Sequence, residues 1–157
     1  MRVVLIGNSG AGKTTLAKKL QDEHLLSHLD LDTLAWQDTM PPQRKPLSES
    51  KKQIDAFLGS TNNWVIEGCY ADLVEMVLPV TTELVFLNPG VEQCIANCRA
   101  RPWEPHKYES KEAQDANLEM LLDWVRQYYT REDEFSYVKH RALFDGFCGE
   151  KREIGST

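Results

Sequence analysis

Residues 3–14, Val-Val-Leu-Ile-Gly-Asn-Ser-Gly-Ala-Gly-Lys-Thr, constrain this chain more than any other segment. The branched apolar run ends at a glycine, which suits a strand covered on both faces of a parallel sheet. Leu16, Ala17 and Leu20 then recur at helical spacing and predict a helix over 13–26. Between strand and helix, Gly7-Asn8-Ser9-Gly10-Ala11-Gly12-Lys13-Thr14 fits G-x-x-x-x-G-K-[ST]. A polyphosphate carries several negative charges and must be surrounded by donors. Glycines let the main chain curl until successive N–H groups point inward, and the helix start adds its positive end. The segment from Gly7 to Thr14, with Thr15 beside it, is therefore expected to hold a nucleoside triphosphate, ATP with Mg²⁺. Lys13 is expected to reach the outer phosphates and the Thr14 hydroxyl to ligate the metal.

The rest of the chain repeats the alternation of strand and helix. Strands are predicted at 28–31, 64–67 and 83–87, and helices at 71–78, 91–100 and 112–131. Ser50 with Gln53 resembles a capping box, followed by the apolar stripe Ile54, Phe57 and Leu58, with a break at 59–63. Residues 36–46 and 101–110 are rich in proline and polar groups and read as loops. A helix is expected near 137–147, and 151–154 reads as a stub of strand or as no element. This pattern predicts an α/β chain: a three-layer fold with a parallel sheet of four to five strands and helices on both faces.

Length and charge narrow the function. A chain of 157 residues fits one domain, large enough to bury roughly 70% of its unfolded surface. Eighteen basic against 24 acidic residues give −6, which argues against sequence-independent nucleic-acid binding. No apolar run approaches the ~20 residues of a membrane span, and the short run at 3–6 is no signal peptide. A cytoplasmic protein without a membrane partner is expected. Cys94 and Cys98 lie four apart without a second ligand pair, so reduced, partly buried thiols are expected. No N-K-x-D tetrapeptide occurs, which argues against a GTPase. The fourth strand, Leu84 to Leu87, ends in Asn88 and not in a carboxylate, while Asp30 and Asp32 follow the second strand.

Three further segments carry a resemblance. They are His28-Leu29-Asp30-Leu31-Asp32-Thr33-Leu34-Ala35-Trp36, Trp64-Val65-Ile66-Glu67-Gly68-Cys69-Tyr70 and Arg99-Ala100-Arg101. Together with the phosphate loop they resemble, over roughly residues 1–130, small-molecule kinases of the adenylate kinase and shikimate kinase group. More narrowly they resemble bacterial topology modulation or adenylate-kinase-related proteins. The resemblance implies a P-loop fold of the nucleoside-monophosphate-kinase kind, with a mobile lid, here around 99–115. It implies transfer of the γ-phosphoryl of ATP to a small-molecule acceptor: a nucleotide, nucleoside, sugar or hydroxy acid. The alternative is a regulatory module or slow ATPase acting through a partner, linked to DNA topology by the family label.

Phosphoryl transfer needs positioning and charge neutralisation. In an extended stretch Asp30 and Asp32 would share one face. Asp30 is then expected to hold Mg²⁺ through water and Asp32 to take the acceptor's proton. Arg99 and Arg101 are expected to close over the transferring phosphate, with His106 and Lys107 adding charge. Trp36, Glu67, Gly68 and Tyr70 are candidate acceptor contacts. An ion pair for Glu67 and a core-facing or solvated His140 are the plain alternatives.

Overall fold

The computed structural model describes residues 1–39 and 43–155. Five strands form one sheet: β1 (Arg2–Gly7), β2 (Ser27–Asp30), β3 (Trp64–Gly68), β4 (Glu83–Leu87) and β5 (Glu150–Ile154). Their order is β2-β3-β1-β4-β5, and every pairing is parallel. β1, β3 and β4 are apolar because both their faces are covered. Val4, Ile6, Trp64, Ile66, Leu84 and Phe86 point to one side, and Val3, Leu5, Val65, Val85 and Leu87 to the other. Each such aliphatic side chain contributes roughly 1.5–3 kcal/mol on full burial.

Helices cover both faces. α1 (Lys13–His24), α5 (Val91–Ala100) and α6 (Lys111–Arg126) pack on the second side through Ala17, Cys94, Cys98, Leu122 and Val125. α2 (Asp32–Ala35), α3 (Leu47–Ser60), α4 (Ala71–Val77) and α7 (Tyr137–Gly146) cover the first through Leu34, Ile54, Leu73, Val74 and Phe144. A 3₁₀ turn, Leu78–Val80, follows α4. β1 is the topological switch point: the chain leaves it toward β2 and β3, then crosses to β4 and β5. Ligands of such sheets sit at the carboxyl ends beside that strand, where residues 7–14 lie. Among the described residues, no helix is long and apolar enough to cross a membrane.

Several local expectations need correction. Ser50 caps nothing: α3 starts after Pro46, and the buried Ser50 hydroxyl donates to the Leu34 carbonyl at 3.0 Å. The Pro46 carbonyl accepts the Glu49 and Ser50 N–H groups at 3.0 and 3.3 Å and so starts the helix. Gly59 does not break α3, which runs on to Ser60. α6 stops at Arg126, so Tyr129 falls beyond the helix. The last strand is complete, from Glu150 to Ile154, although its burial pattern is almost wholly exposed. It is an edge strand of Glu-Lys-Arg-Glu-Ile, aligned with β4 from Glu83↔Glu150 to Leu87↔Ile154. The predicted loop over 36–46 includes residues 40–42, which lie outside the described residues.

His140 faces the core and is fully buried. Its ring nitrogens meet the Tyr128 hydroxyl and the Cys69 carbonyl, each at 2.7 Å. A carbonyl only accepts, so Nε2 carries the proton and the Tyr128 hydroxyl donates to Nδ1. α7 is thereby tied to the turn after β3 that carries Tyr70. Burial pushes the imidazole down to about 4. The unfolded chain then binds the proton first, so stability falls as pH drops from 6.5 toward 4, by up to about 1.4 kcal/mol per pH unit. His140→Leu should remove that component. In urea titrations its deficit against the wild type should shrink as pH is lowered through this window. A deficit that does not vary with pH would contradict the buried neutral ring.

Candidate active site

The loop between β1 and α1 is shaped by close approach of main chain. A Cβ on Gly7 would stand 2.4 Å from the Leu87 carbonyl oxygen, and one on Gly10 2.4 Å from that of Cys94. Gly10 and Gly12 adopt φ of +81° and +97°, which side chains rarely tolerate. Two asparagines brace the curl. Asn97 on α5 donates to the Gly10 carbonyl at 2.8 Å, and the buried Asn8 side chain donates to the Val125 carbonyl at 3.3 Å. Lys13 folds back over the loop, donating to the carbonyls of Asn8 at 2.7 Å and Gly7 at 3.2 Å. Ala11 is buried, Ser9 and Thr14 are half-buried and Thr15 is exposed.

Next to the loop lies a chain of polar contacts that sequence spacing did not disclose. The Thr14 hydroxyl donates to Glu67 Oε1 at 2.5 Å, and Glu67 Oε2 meets His28 Nε2 at 2.6 Å. Glu67 is only 3% exposed. Burial raises its pKa, but the hydrogen bonds from His28 and Thr14 and the Lys13 charge outweigh that, and the carboxyl stays below its usual range. The apolar run Trp64-Val65-Ile66 thus ends in an acid facing the phosphate loop. That signal was present in the sequence, on the third strand and not on the fourth.

Asp30 is the register partner of Glu67. Asp30 and Asp32 do not lie in an extended stretch, because Leu31 is helical and α2 begins at Asp32. Asp30 Oδ1 accepts the Asp32 N–H at 2.9 Å and the Thr33 hydroxyl donates to the Asp30 carbonyl at 2.7 Å, which closes the chain into that turn. The two carboxylates are joined instead by Lys107, whose Nζ lies 2.8 Å from Asp32 Oδ2 and 3.2 Å from Asp30 Oδ2. The other Asp32 oxygen accepts the Tyr70 hydroxyl, which itself accepts the Trp36 indole N–H at 2.8 Å.

The pair is electrostatically split. Burial, the Asp32 charge and the Glu67 charge push Asp30 up, beyond what Lys107 offsets. Burial also opposes ionisation of Asp32, but the charge and hydrogen bond of Lys107, the Tyr70 hydroxyl and Lys13 hold it below the usual carboxylate range.

Other candidates lie outside this cluster. Arg99 is exposed in the last turn of α5. Arg101 lies 3.7 Å from Glu104 Oε1. A Cβ on Gly68 would stand 2.9 Å from the Leu31 side chain, so the close approach there is to a core residue. Cys69, Cys94 and Cys98 are buried free thiols and Cys148 is an exposed one; burial lifts Cys69 to about 12 and Cys94 to about 11.

The arrangement suits a magnesium-bound triphosphate. Gly7 and Gly10 leave no room for a Cβ, and α1 starts at the loop with unsatisfied first-turn N–H groups. Thr14, Asp30 and Glu67 are hard oxygen donors of the kind Mg²⁺ prefers, and in phosphate sites it takes few protein ligands. Among the described residues, no group of three or more His, Cys, Asp or Glu side chains is placed to hold a metal ion by itself.

Solved structures share this architecture. Shikimate kinase from Bacteroides thetaiotaomicron is 18% identical, covers 98% of this chain and 86% of its own, and gives a TM-score of 0.53. The chain shares the fold of that enzyme. Deoxyadenosine kinase from M. mycoides, solved with dATP, is 10% identical over 99% of this chain and 91% of its own, with a TM-score of 0.50. A family model described as PduV-EutP, ethanolamine utilisation - propanediol utilisation, matches residues 1–40. That span holds β1, the loop, α1 and β2. Comparison with curated proteins finds no match.

Proposed function

We propose that this protein is a P-loop kinase that transfers the γ-phosphoryl of ATP to a small-molecule hydroxyl or phosphate acceptor. The observation that carries the reading is one cluster at the carboxyl ends of β1, β2 and β3. There Thr14 of the phosphate loop, the buried Glu67 and the pair Asp30 and Asp32 lie side by side.

Each residue has a task under this reading. Main-chain N–H groups from Gly7 to Thr14 hold the phosphates, and Lys13 neutralises the outer ones. Thr14 and Asp30 would hold Mg²⁺, with Glu67 and His28 fixing the Thr14 hydroxyl. When bound, the metal offsets phosphate charge and orients the outer phosphates. Asp32, kept ionised, accepts the proton of the acceptor hydroxyl as its oxygen bonds to the γ-phosphorus and the bridging oxygen leaves with ADP. Tyr70 and Trp36 orient Asp32 and wall the acceptor side. Arg99 and Arg101 belong to a lid over 99–115 and meet the phosphoryl group when it closes. The narrower kinship with the topology modulation group rests on the phosphate loop and the sequence segments 28–36, 64–70 and 99–101.

Labelled ATP presented with nucleosides, nucleotides, sugars and hydroxy acids tests the assignment. Label should pass to at least one acceptor class in the presence of Mg²⁺. If ADP appears only by hydrolysis, with every acceptor unlabelled, the kinase reading is wrong.

A further inference from the structure

Residues 101–110 connect α5 to α6 without a helix or strand of their own. Most hydrogen bonds of this segment stay within it or reach α6. The Glu104 N–H donates to Gln114 Oε1 at 2.8 Å, and Gln114 Nε2 donates to the Pro102 carbonyl at 3.0 Å. The Trp103 indole donates to the Tyr108 carbonyl at 2.9 Å, and Asn117 donates to the Tyr108 hydroxyl at 2.9 Å. Lys107 differs. Its ammonium crosses to the far side of the site and touches Asp32 and Asp30, with Glu104 Oε2 at 3.6 Å. The Lys107 side chain is only 20% exposed.

An ammonium has three donors, and three carboxylates surround this one. Three carboxylates face two cations, Lys107 and the Arg101 that pairs with Glu104, so the lysine is held from several sides and the cluster keeps a net negative charge. On the other side of Asp32, the Tyr70 hydroxyl donates to Oδ1. Asp32 is therefore oriented from two directions, by the rigid β3–α4 turn and by the connecting segment.

We propose that Lys107 is a positioning residue that latches the 101–110 segment onto the two acceptor-side aspartates, so that closure of the segment and orientation of Asp32 are a single event. This rests on the kinase reading for its functional half, but the latch itself can be measured without turnover. An acceptor hydroxyl that reaches Asp32 Oδ2 shares that oxygen with Lys107, which places the ammonium beside the reacting hydroxyl. The acceptor side, and not the nucleotide alone, then decides whether the lid stays shut.

Hydrogen exchange and kinetics on the full chain test this. In Lys107→Met, the hydrogen-bonded amides within 102–110, those of Glu104, Lys107 and Tyr108, should exchange at least about tenfold faster, as expected on loss of a charge-assisted tether, while those of β1 and β3 stay unchanged. Asp32→Asn should reproduce part of that increase. Lys107→Arg, which keeps the charge but not the compact geometry, should fall between. With an identified acceptor, Lys107→Met should lower kcat and raise the acceptor KM while the ATP KM stays within a few fold. Unchanged exchange in 102–110 would overturn the latch whatever the kinetics. Faster exchange with unaltered acceptor kinetics would overturn its coupling to Asp32. If the wild type labels no acceptor, the kinase reading fails while the exchange data still decide the latch.

Discussion

Asp32→Asn is expected to lower phosphoryl transfer by about 10²- to 10⁴-fold, the usual contribution of a positioned general base. The substitution is close to isosteric, and with the amide oxygen at the Oδ1 position the Tyr70 hydroxyl keeps its acceptor. What changes is the partner of Lys107. An amide nitrogen placed where Oδ2 stands would set a donor against an ammonium, and an amide oxygen there would lose the charge. Neither form can accept the acceptor's proton. The phosphate loop lies on the other side of the cluster and keeps its own contacts, so the ATP KM should stay within a few fold while kcat collapses. Asp30→Asn should show the opposite emphasis, weakening the Mg²⁺ dependence more than the proton transfer. Steady-state assays at varied Mg²⁺ with both variants check the division of labour. If Asp32→Asn keeps activity within about tenfold of wild type, the base is elsewhere.

Gly10→Ala should be severely damaging for a single added methyl. It forces a left-handed φ of +81° on a residue with a side chain, and the new Cβ would meet the Cys94 carbonyl oxygen at 2.4 Å and the Cys98 sulfur at 2.7 Å. The obstruction is α5 main chain, braced by Asn97, and cannot swing away as a flexible tip would. Backbone strain of about 1–3 kcal/mol and overpacking of about 1–3 kcal/mol predict a loss of roughly 2–6 kcal/mol. Nucleotide binding should fail with it, because relief of the clash must reshape the loop. Gly59→Ala is the control: that glycine lies inside α3 with nothing within 4 Å of the new Cβ. There the methyl should stabilise by about 0.4–1 kcal/mol through the unfolded chain. Urea unfolding of the three proteins measures both. A Gly10→Ala protein as stable as wild type would mean the loop is not held as described.

Much of the fold was legible because burial leaves a mark in sequence. β1, β3 and β4 are covered on both faces and read as apolar runs, and the phosphate loop is contiguous. β5 has no such mark. Its first four residues are exposed and charged, and it becomes a strand because β4 offers an open edge and the Asn88 N–H donates to the Ile154 carbonyl at 2.8 Å. α2 is a single turn, too short for periodicity to register, and is made by local bonds around Asp30.

The candidate site divides the same way. Thr14 is given by its motif, but its contact with Glu67 spans 53 positions, and Lys107 reaches Asp32 across 75. No spacing rule encodes such pairs. Lys107 could be read only as added positive charge, and His28, behind Glu67, only as part of a short strand. Asn97 carries no motif at all, yet it fixes Gly10.

The account depends on residues 7–14 wrapping a triphosphate, and titration calorimetry with Mg-ATP tests that most directly. Wild type should release heat with a single site. At 100-fold excess over the measured Kd its unfolding free energy should rise by about 2.7 kcal/mol, whereas Gly10→Ala should give neither signal. Wild-type protein that shows no heat and no stabilisation at millimolar Mg-ATP would contradict the account.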